Sequence, residues 1–485
     1  MNKKTINELD KEMQKMHEEL EAQRKVRENQ LVDLNLKRIL DAIMSKSDEI
    51  ATILELTRGK GQKKILQRVE REIVRAAGET LWCPDYNARN EKQEIYCYTG
   101  THWIEVSSAV WKYFIRQGAE RCGLPQDMLE DADFMIKLGN HTAYNIFKVL
   151  LANVPDDEVW LNMPNGTMVI KSDGSTSTHE HRPEDLFYYC LTYNYDPLAE
   201  CPDWLKFLDR VLPEKAAQKV LAEIICYILM NSHRFEVMLW LYGPGQNGKS
   251  TVLRILEELL GTYNISTISL YHLTTDQKIR LGIEHKKLNI SSESGRDVDP
   301  DELKKLVSGE KVTVERKYHD ARQTDDYGKL IVATNHMPKA EDTQAFYRRM
   351  IIMPFEIIIP NEEKDTKLFE KLKAEMPGIL RWALEAFPGL IERDGFTESE
   401  LCQKALKKYR AQADGVRMFV EQMCEDSTTA YRGADLYYHY QKFCKFMEID
   451  KKEGRNDFYK RLEDLGYKPV ANGNNAKSFN LRLSE

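Results

Sequence analysis

Val237-Met238-Leu239-Trp240-Leu241-Tyr242-Gly243-Pro244-Gly245-Gln246-Asn247-Gly248-Lys249-Ser250 decides how the rest of this 485-residue sequence is read. A short apolar run enters a Gly-rich turn. A helix then follows, with Val252, Leu253, Ile255, Leu256, Leu259 and Leu260 on its buried side and Gly261 as its stop. Strand, Gly-rich turn and helix in this order are the setting in which G-x-x-x-x-G-K-S cradles phosphates. A triphosphate needs many donors in a small volume, and backbone N–H groups at a helix N-terminus supply them together with the positive end of the helix dipole. Gly243, Gly245 and Gly248 let the chain fold round the phosphates, and Pro244, Gln246, Asn247 and Thr251 complete the loop. Lys249 is expected to reach the β- and γ-phosphates and the Ser250 hydroxyl to ligate magnesium, so the expected ligands are ATP and Mg2+. A chance Gly/Pro turn would not be flanked by both a strand and an amphipathic helix.

Hydrolysis also needs a group that orients or deprotonates the attacking water, usually an acid at the end of a neighbouring strand. Lys287-Leu288-Asn289-Ile290-Ser291-Ser292-Glu293 reads as such a strand, with Glu293 as the base and as an indirect support for the metal. Ser292 stands where many P-loop ATPases carry Asp. Lys329-Leu330-Ile331-Val332-Ala333-Thr334-Asn335 is a second apolar strand, and Asn335 at its end is placed to hold the water or sense the γ-phosphate. Two arginines, Arg348 and Arg349, precede the apolar run Met350-Ile351-Ile352. An arginine finger from a neighbouring subunit would make hydrolysis depend on assembly, and Arg348 is the favoured finger. The plainer reading of either arginine is a surface ion pair.

Outward from this motor, 42% hydrophobic content over 485 residues calls for several domains. A formal net charge of -7 argues against general coating of nucleic acid, so any DNA contact must be local. The nine cysteines form no C-x-x-C pair, which points to free thiols in a reducing compartment. The most apolar stretch, Val220 to Met230, contains Glu223 and falls far short of the ~20 residues that span a bilayer. No membrane association and a cytoplasmic location, inside a bacterium or another host cell, are expected.

Four domains are expected: 1–78, 79–230, 231–395 and 396–485. The first is a helical arm with Ile6, Leu9, Met13, Met16 and Leu20 at helical spacing, packed on its own chain rather than forming a coiled-coil rod. The second is an α+β lead-in domain with hairpin-like segments at Glu94 to Trp103 and at Val159 to Ile170, the latter turning at Asn165-Gly166. The third is the motor. The fourth, basic where the rest is acidic, shows three helices near 416–424, 433–447 and 455–465 and then a hairpin at Asn472-Gly473-Asn474-Asn475. That order suggests a winged helix, with the third helix and Lys468, Lys477 and Arg482 of the wing on the nucleic-acid side; a basic helical cap that touches no DNA competes with it.

The P-loop at 243–250, the acid-ended strand at Glu293, Ala333-Thr334-Asn335-His336-Met337-Pro338 and the Arg348-Arg349 pair, in this order, resemble a superfamily 3 helicase of the poxvirus and phage-satellite primase-helicase family. In that family the acid-bearing strand commonly ends Ser-Glu, as Ser292-Glu293 does. Tyr98-Thr99-Gly100-Thr101-His102-Trp103, Pro164-Asn165-Gly166 and Tyr195 to Trp204 resemble the domain ahead of the motor, so the likeness covers about residues 80 to 395. It implies an AAA+ core, a homo-hexameric ring with ATP sites between subunits, and single-stranded or forked DNA in a central channel, translocated 3′ to 5′ during replication of a mobile element, phage or virus. It also implies a channel hairpin within Ser308 to His319, where Arg316, Lys317 and His319 suit phosphate oxygens without reading sequence. An exposed hairpin with ordinary solvated charges is the alternative.

The family often carries a primase domain ahead of the motor. Residues 1 to 230 show no acidic constellation for primer synthesis, so a primase is expected to be a separate partner. Three other readings stand beside the helicase. One is an ATP-switched replication initiator or origin-binding protein with little unwinding, and another is a P-loop kinase or small-molecule NTPase. The third, compatible with the helicase, treats residues 1–230 as a platform for a replication partner.

Overall fold

The computed structural model describes residues 29–43, 45, 61–84, 94–148, 154–292, 298–316, 321–335, 344–447, 449, 452–472 and 476–484. They fall into two units, the first drawn from 1–155, 160–170 and 176–194 and the second from 156–159, 171–175 and 195–485. The apolar stripe from Ile6 to Leu20 lies outside the described residues.

In the first unit, helices α1 (29–43) and α2 (Gln62–Ala77) carry apolar residues at three- and four-residue spacing, which places them on one face of each helix. Val32, Leu36, Ile39, Leu66, Val69 and Ile73 are buried in one core with Phe114, Ile115 and Leu138. Strands β1 (Leu81–Trp82), β2 (Ile95–Tyr98) and β3 (Trp103–Val106) form an antiparallel sheet, with Tyr98 opposite Trp103 across the expected hairpin. Helix α3 (Ser108–Arg121) starts on Ser107, whose side chain accepts from Val110 N. Helix α4 (Gln126–Glu130) follows, and α5 (Ala132–Asn145) starts on Asp131, which accepts from Phe134 N. A three-stranded sheet runs in the order β4 (Val159–Met163), β5 (Gly166–Ile170), β6 (Thr176–His179). Gly166 has φ +136°, and a Cβ there would strike the His179 carbonyl, so the turn between β4 and β5 requires glycine.

The second unit opens with α6 (Pro202–Val211) and α7 (Lys215–Leu229). Helix α7 is buried over most of its length, and its Glu223 is fully enclosed. Arg393, the Thr397 N–H (2.7 Å) and the Thr397 hydroxyl (2.6 Å) hold that carboxylate. Such a charge is tolerated inside only because it is paired and hydrogen-bonded. Next come β7 (Met238–Tyr242), α8 (Lys249–Leu260), β8 (Ile265–Ser266), β9 (Leu288–Ser292), α9 (Pro300–Ser308), β10 (Val312–Val314), β11 (Arg322–Thr324), β12 (Lys329–Thr334) and β13 (Met350–Pro354). The near-continuous apolar runs of β7, β12 and β13 are what a sheet covered on both faces requires. Strands β13, β7, β12, β9 and β8 form one parallel sheet in that order, with Ile331 beside Leu239 on one side and Ile290 on the other. Helix α8 buries Val252, Ile255, Leu256, Leu259 and Leu260 and ends at Gly261 (φ 77°), while Leu253 lies at its half-exposed margin.

Helix α10 (Met376–Leu384) packs on α7 through the buried Ala383, whose carbonyl accepts from the Cys226 thiol at 2.9 Å. Helix α11 (Glu400–Ala413) then leads into α12 (Gly415–Met423), β14 (Cys424–Arg432), α13 (Gly433–Phe446), α14 (Arg455–Asp464), β15 (Val470–Asn472) and β16 (Ala476–Leu483). Asp414 accepts from Arg417 N at the start of α12 and pairs with Arg461 of α14. Phe419, Leu436, Tyr440, Phe443, Phe458, Phe479 and Leu481 close this small core. The three expected helices and the final hairpin are present, and residues 473–475 of its turn lie outside the described residues. Strand β14 was not foreseen. Its polar Asp426-Ser427-Thr428-Thr429 bulges out of register with β16, which removes the two-residue alternation that marks a strand. Among the described residues no helix is long and apolar enough to cross a membrane.

Candidate nucleotide site

The Gly-rich loop sits at the C-terminal end of β7, between two neighbouring strands. Gly243 N donates to Thr334 O of β12 at 3.3 Å, and Phe355 N, just beyond β13, donates to Tyr242 O at 2.7 Å. A Cβ on Gly243 would run into the Phe355 carbonyl and the Asn247 amide, so glycine is needed for close approach. Gly248 adopts φ 89° immediately before α8, and α6 lies beneath it, where a Cβ would come within 3.0 Å of Phe207 and Val211. Gln246 is left-handed at φ 54°, and its carbonyl accepts from Ile359 N at 2.8 Å.

Side chains fix the loop from inside. Buried Asn247 donates to Phe355 O at 2.6 Å. Lys249, also buried, donates to Gly243 O (2.6 Å), Asn247 Oδ1 (3.2 Å) and Asn335 Oδ1 (3.2 Å). Burial lowers its pKa from the usual lysine range. Ser250 is exposed and Thr251 half-buried in the first turn of α8. The ammonium of Lys249 and the Asn335 amide thus meet at the mouth of a helix N-terminus lined by Gly245 and Gly248, an arrangement suited to an oxyanion. These groups fit a nucleotide triphosphate, and exposed Ser250 fits a magnesium ligand beside it. Strand β9 runs beside β12, with Ser292 opposite Ala333, and Glu293 lies outside the described residues.

The arginine pair is at the other end of the sheet. Arg349 Nη2 donates to Glu236 Oε2 (2.8 Å) and Ser308 Oγ (2.9 Å), Arg349 Nε also reaches Ser308 Oγ (3.0 Å), and the side chain is 12% exposed. Arg348 is 64% exposed and approaches Glu236 only at 3.5 Å. Glu236 has left-handed backbone, φ 47°, just ahead of β7. Nothing in the sequence marked Glu236 or Ser308 as anchors, because they lie 113 and 41 positions from Arg349 along the chain. Antiparallel β10 and β11 form the base of the expected DNA hairpin, with Val314 opposite Arg322. Arg316 is half-buried beyond β10, and Lys317 and His319 lie outside the described residues.

Between these anchors His233 packs against Gly309 and the Tyr327 ring (5.3 Å between centroids), and its Nε2 donates to Gly328 O at 3.4 Å. Burial, with the nearby Lys329 charge, pushes its pKa down to about 3. An unfolded histidine titrates near ~6.5, so the folded state holds fewer protons between the two values. Its stability contribution is therefore full above about pH 6.5 and is lost as pH falls towards 3. Between pH 7 and 5, wild type should lose about 1–2 kcal/mol more unfolding free energy than His233→Gln, read by urea denaturation at each pH. Equal slopes for the two proteins would refute the assignment.

A family of unknown function (DUF5906) matches residues 241–349, and a family described as D5 N terminal like matches residues 84–213. The Acanthamoeba polyphaga mimivirus protein named "Putative helicase L207/L206" is 20% identical over 314 residues, 56% of this chain and 31% of that protein. The chain thus spans about a third of the length of that relative. Among solved structures, the apo A form of the NrS-1 C terminal region aligns with a TM-score of 0.43 at 13% identity, covering 80% of this chain and 94% of that one. A second apo structure of that region (305–718) aligns at 0.44 and 13%, covering 82% and 95%. Fold and site define a multidomain α/β protein whose central parallel sheet carries a Gly-rich phosphate-type loop. The D5 N-terminal-like match and the viral relative, with the motif order in the sequence, support the superfamily 3 primase-helicase family for this chain.

Proposed function

We propose that this chain is an ATP-dependent DNA helicase, an AAA+ superfamily 3 motor that assembles into a ring and moves 3′ to 5′ on single-stranded or forked DNA during replication of a mobile element, phage or virus. The observation that carries the reading is the separation of two functional groups along one parallel sheet. Lys249 and Asn335 meet at the C-terminal ends of β7 and β12, whereas Arg348 stands at the N-terminal end of β13, which is paired with β7. Five strand residues at ~3.3 Å each put about 17 Å between the two ends. An arginine so placed serves a neighbouring copy's nucleotide, and that supports ring assembly. The strand order β13-β7-β12-β9-β8 supports the AAA+ assignment, with phosphate loop, acid strand and Asn strand on adjacent central strands. The order α12, β14, α13, α14 and the β15–β16 hairpin supports the winged-helix reading of residues 396–485. In this reading residues 1–78 are the helical arm, 79–230 the lead-in domain and 231–395 the motor.

Within this reading Lys249 holds the β- and γ-phosphates, Asn335 orients water or senses the γ-phosphate, Glu293 takes the proton, and Arg348 serves the adjoining subunit while Arg349 anchors the segment that carries it. Magnesium, held by Ser250, would offset charge on the phosphate oxygens. The test is ATP hydrolysis with and without single-stranded DNA, alongside displacement of a strand from a forked duplex. Wild type should be stimulated by DNA and should unwind. In Lys317→Ala the stimulation should fall towards that of the DNA-free enzyme, because a phosphate contact in the channel is lost. Hydrolysis indifferent to DNA would move the small-molecule NTPase reading ahead, and stimulation without unwinding would favour the initiator.

A further inference from the structure

Helix α13 turns one face inward, burying Leu436, Tyr440, Phe443 and Cys444. Its opposite face is unlike an ordinary solvated one. Phe446 is 84% exposed and Tyr438 is 53% exposed. Lys442 and Lys445 are exposed between them, and the Lys442 ammonium sits 4.5 Å from the Tyr438 ring centroid. Positions 438, 442 and 445/446 follow the four-then-three spacing that aligns side chains along one side of a helix. Asp435, one turn before Tyr438, is the acidic side chain on this face, and half-buried His439 lies beside the Tyr438 ring at 5.4 Å. Among the described residues no ion pair engages Lys442 or Lys445. On the hairpin side Lys477 is paired with Glu463 at 2.9 Å, Arg482 with Glu425 at 2.7 Å, and Arg461 of α14 with Asp414, whereas Lys468 and Lys460 are exposed there with no aromatic ring among the described residues exposed beside them in the way Tyr438 stands beside Lys442.

We infer that the outer face of α13 is a stacking platform for single-stranded DNA, with Tyr438 and Phe446 taking bases and Lys442 and Lys445 taking the intervening phosphates. The inference rests on the DNA-motor reading and departs from the expectation that α14 and the wing form the nucleic-acid side. Exposed aromatic rings interleaved with free cations match unpaired bases, which offer a π-face whatever their sequence, and a flexible backbone that follows the charges. A duplex hides its base faces in its own stack and would leave Phe446 in water. Tyr438 and Phe446 are eight residues apart, about 12 Å at ~1.5 Å per residue, which leaves room for a few nucleotides.

The experiment measures the affinity of the full chain for a fluorescent oligothymidylate by anisotropy, at several salt concentrations. Tyr438→Ala/Phe446→Ala should raise Kd by about ten-fold or more, and Phe446→Trp should keep the wild-type affinity. Lys442→Gln/Lys445→Gln should reduce the slope of log K against log salt by about 1.4, two phosphates at ~0.7 each. All these side chains are exposed, so melting temperatures should stay within a degree or two of wild type, which separates lost contact from lost fold. An unchanged Kd in the aromatic double variant would overturn the inference, as would tighter binding of duplex than of single strand. A variant that alters sedimentation but not DNA affinity would also overturn it, assigning the face to a second copy of the chain. Wild-type hydrolysis is read in parallel. Aromatic-dependent DNA binding with DNA-indifferent hydrolysis would sink the motor and leave the platform standing, and the converse would do the reverse.

Discussion

Lys249→Ala should lower ATP turnover by about 10²–10³-fold or more, because it removes the one cation that the loop directs at the phosphates. Loss of fold does not offer an alternative cause. Burial depresses the Lys249 pKa, so the folded chain bears a cost for keeping the charge there, and removing it relieves that cost. What is lost in exchange is the donor for Gly243 O, Asn247 Oδ1 and Asn335 Oδ1, while Asn247 keeps its own bond to Phe355 O and so still braces the loop. Lys249→Ala and Lys249→Met should therefore melt within a few degrees of wild type while hydrolysing almost nothing. Turnover within ten-fold of wild type in a properly folded variant would remove Lys249 from the chemistry.

Arg348→Ala should lower turnover of the assembled protein by about 10³-fold or more, in the range found for arginine fingers. Its free chain should be as stable as wild type, since Arg348 is mostly exposed and contacts Glu236 at 3.5 Å only. Arg349→Ala should behave differently. That side chain ties Glu236 to Ser308 at the end of α9, just before the β10–β11 hairpin, and its loss should reduce stability by about 1–3 kcal/mol as well as activity. Mixing separates a shared site from one complete within a chain. Equimolar Lys249→Ala and Arg348→Ala, each inactive alone, should recover part of the wild-type rate, because some interfaces pair an intact loop with an intact arginine. No recovery, with mixed assembly shown by sedimentation, would mean that Arg348 does not act on a neighbouring copy's nucleotide.

Local chemistry was enough to read the motor. A period-free apolar run, a G-x-x-x-x-G-K-S turn and an amphipathic helix are signals within about twenty consecutive residues, and the structure forms β7, the loop and α8 in that order. The two flanking strands were legible for a similar reason, since the acid Glu293 closes Lys287 to Ser292 and the amide Asn335 closes the apolar run Leu330 to Ala333. The helices and final hairpin of the C-terminal part were also legible, but β14 was not, because its polar bulged stretch has no period.

Contacts between distant segments could not be read this way. The pairing of β12 between β7 and β9 brings Asn335 to Lys249, 86 positions earlier, and the same parallel arrangement sends Arg348 to the far end of the sheet. Sequence reading favours Arg348 over Arg349 as the finger but shows nothing of what holds either side chain. Packing separates the two: Ser308 and a left-handed Glu236 hold Arg349, while Arg348 stays mostly exposed with a 3.5 Å approach to the same Glu236. The same holds for the basic C-terminal part, where composition shows an excess of charge but only tertiary contacts show which cations are spent on internal pairs and which face outward on α13. Composition and spacing determine which elements form; long-range pairing decides which of their side chains remain available, because an ion pair depends on distance in space and not on separation along the chain.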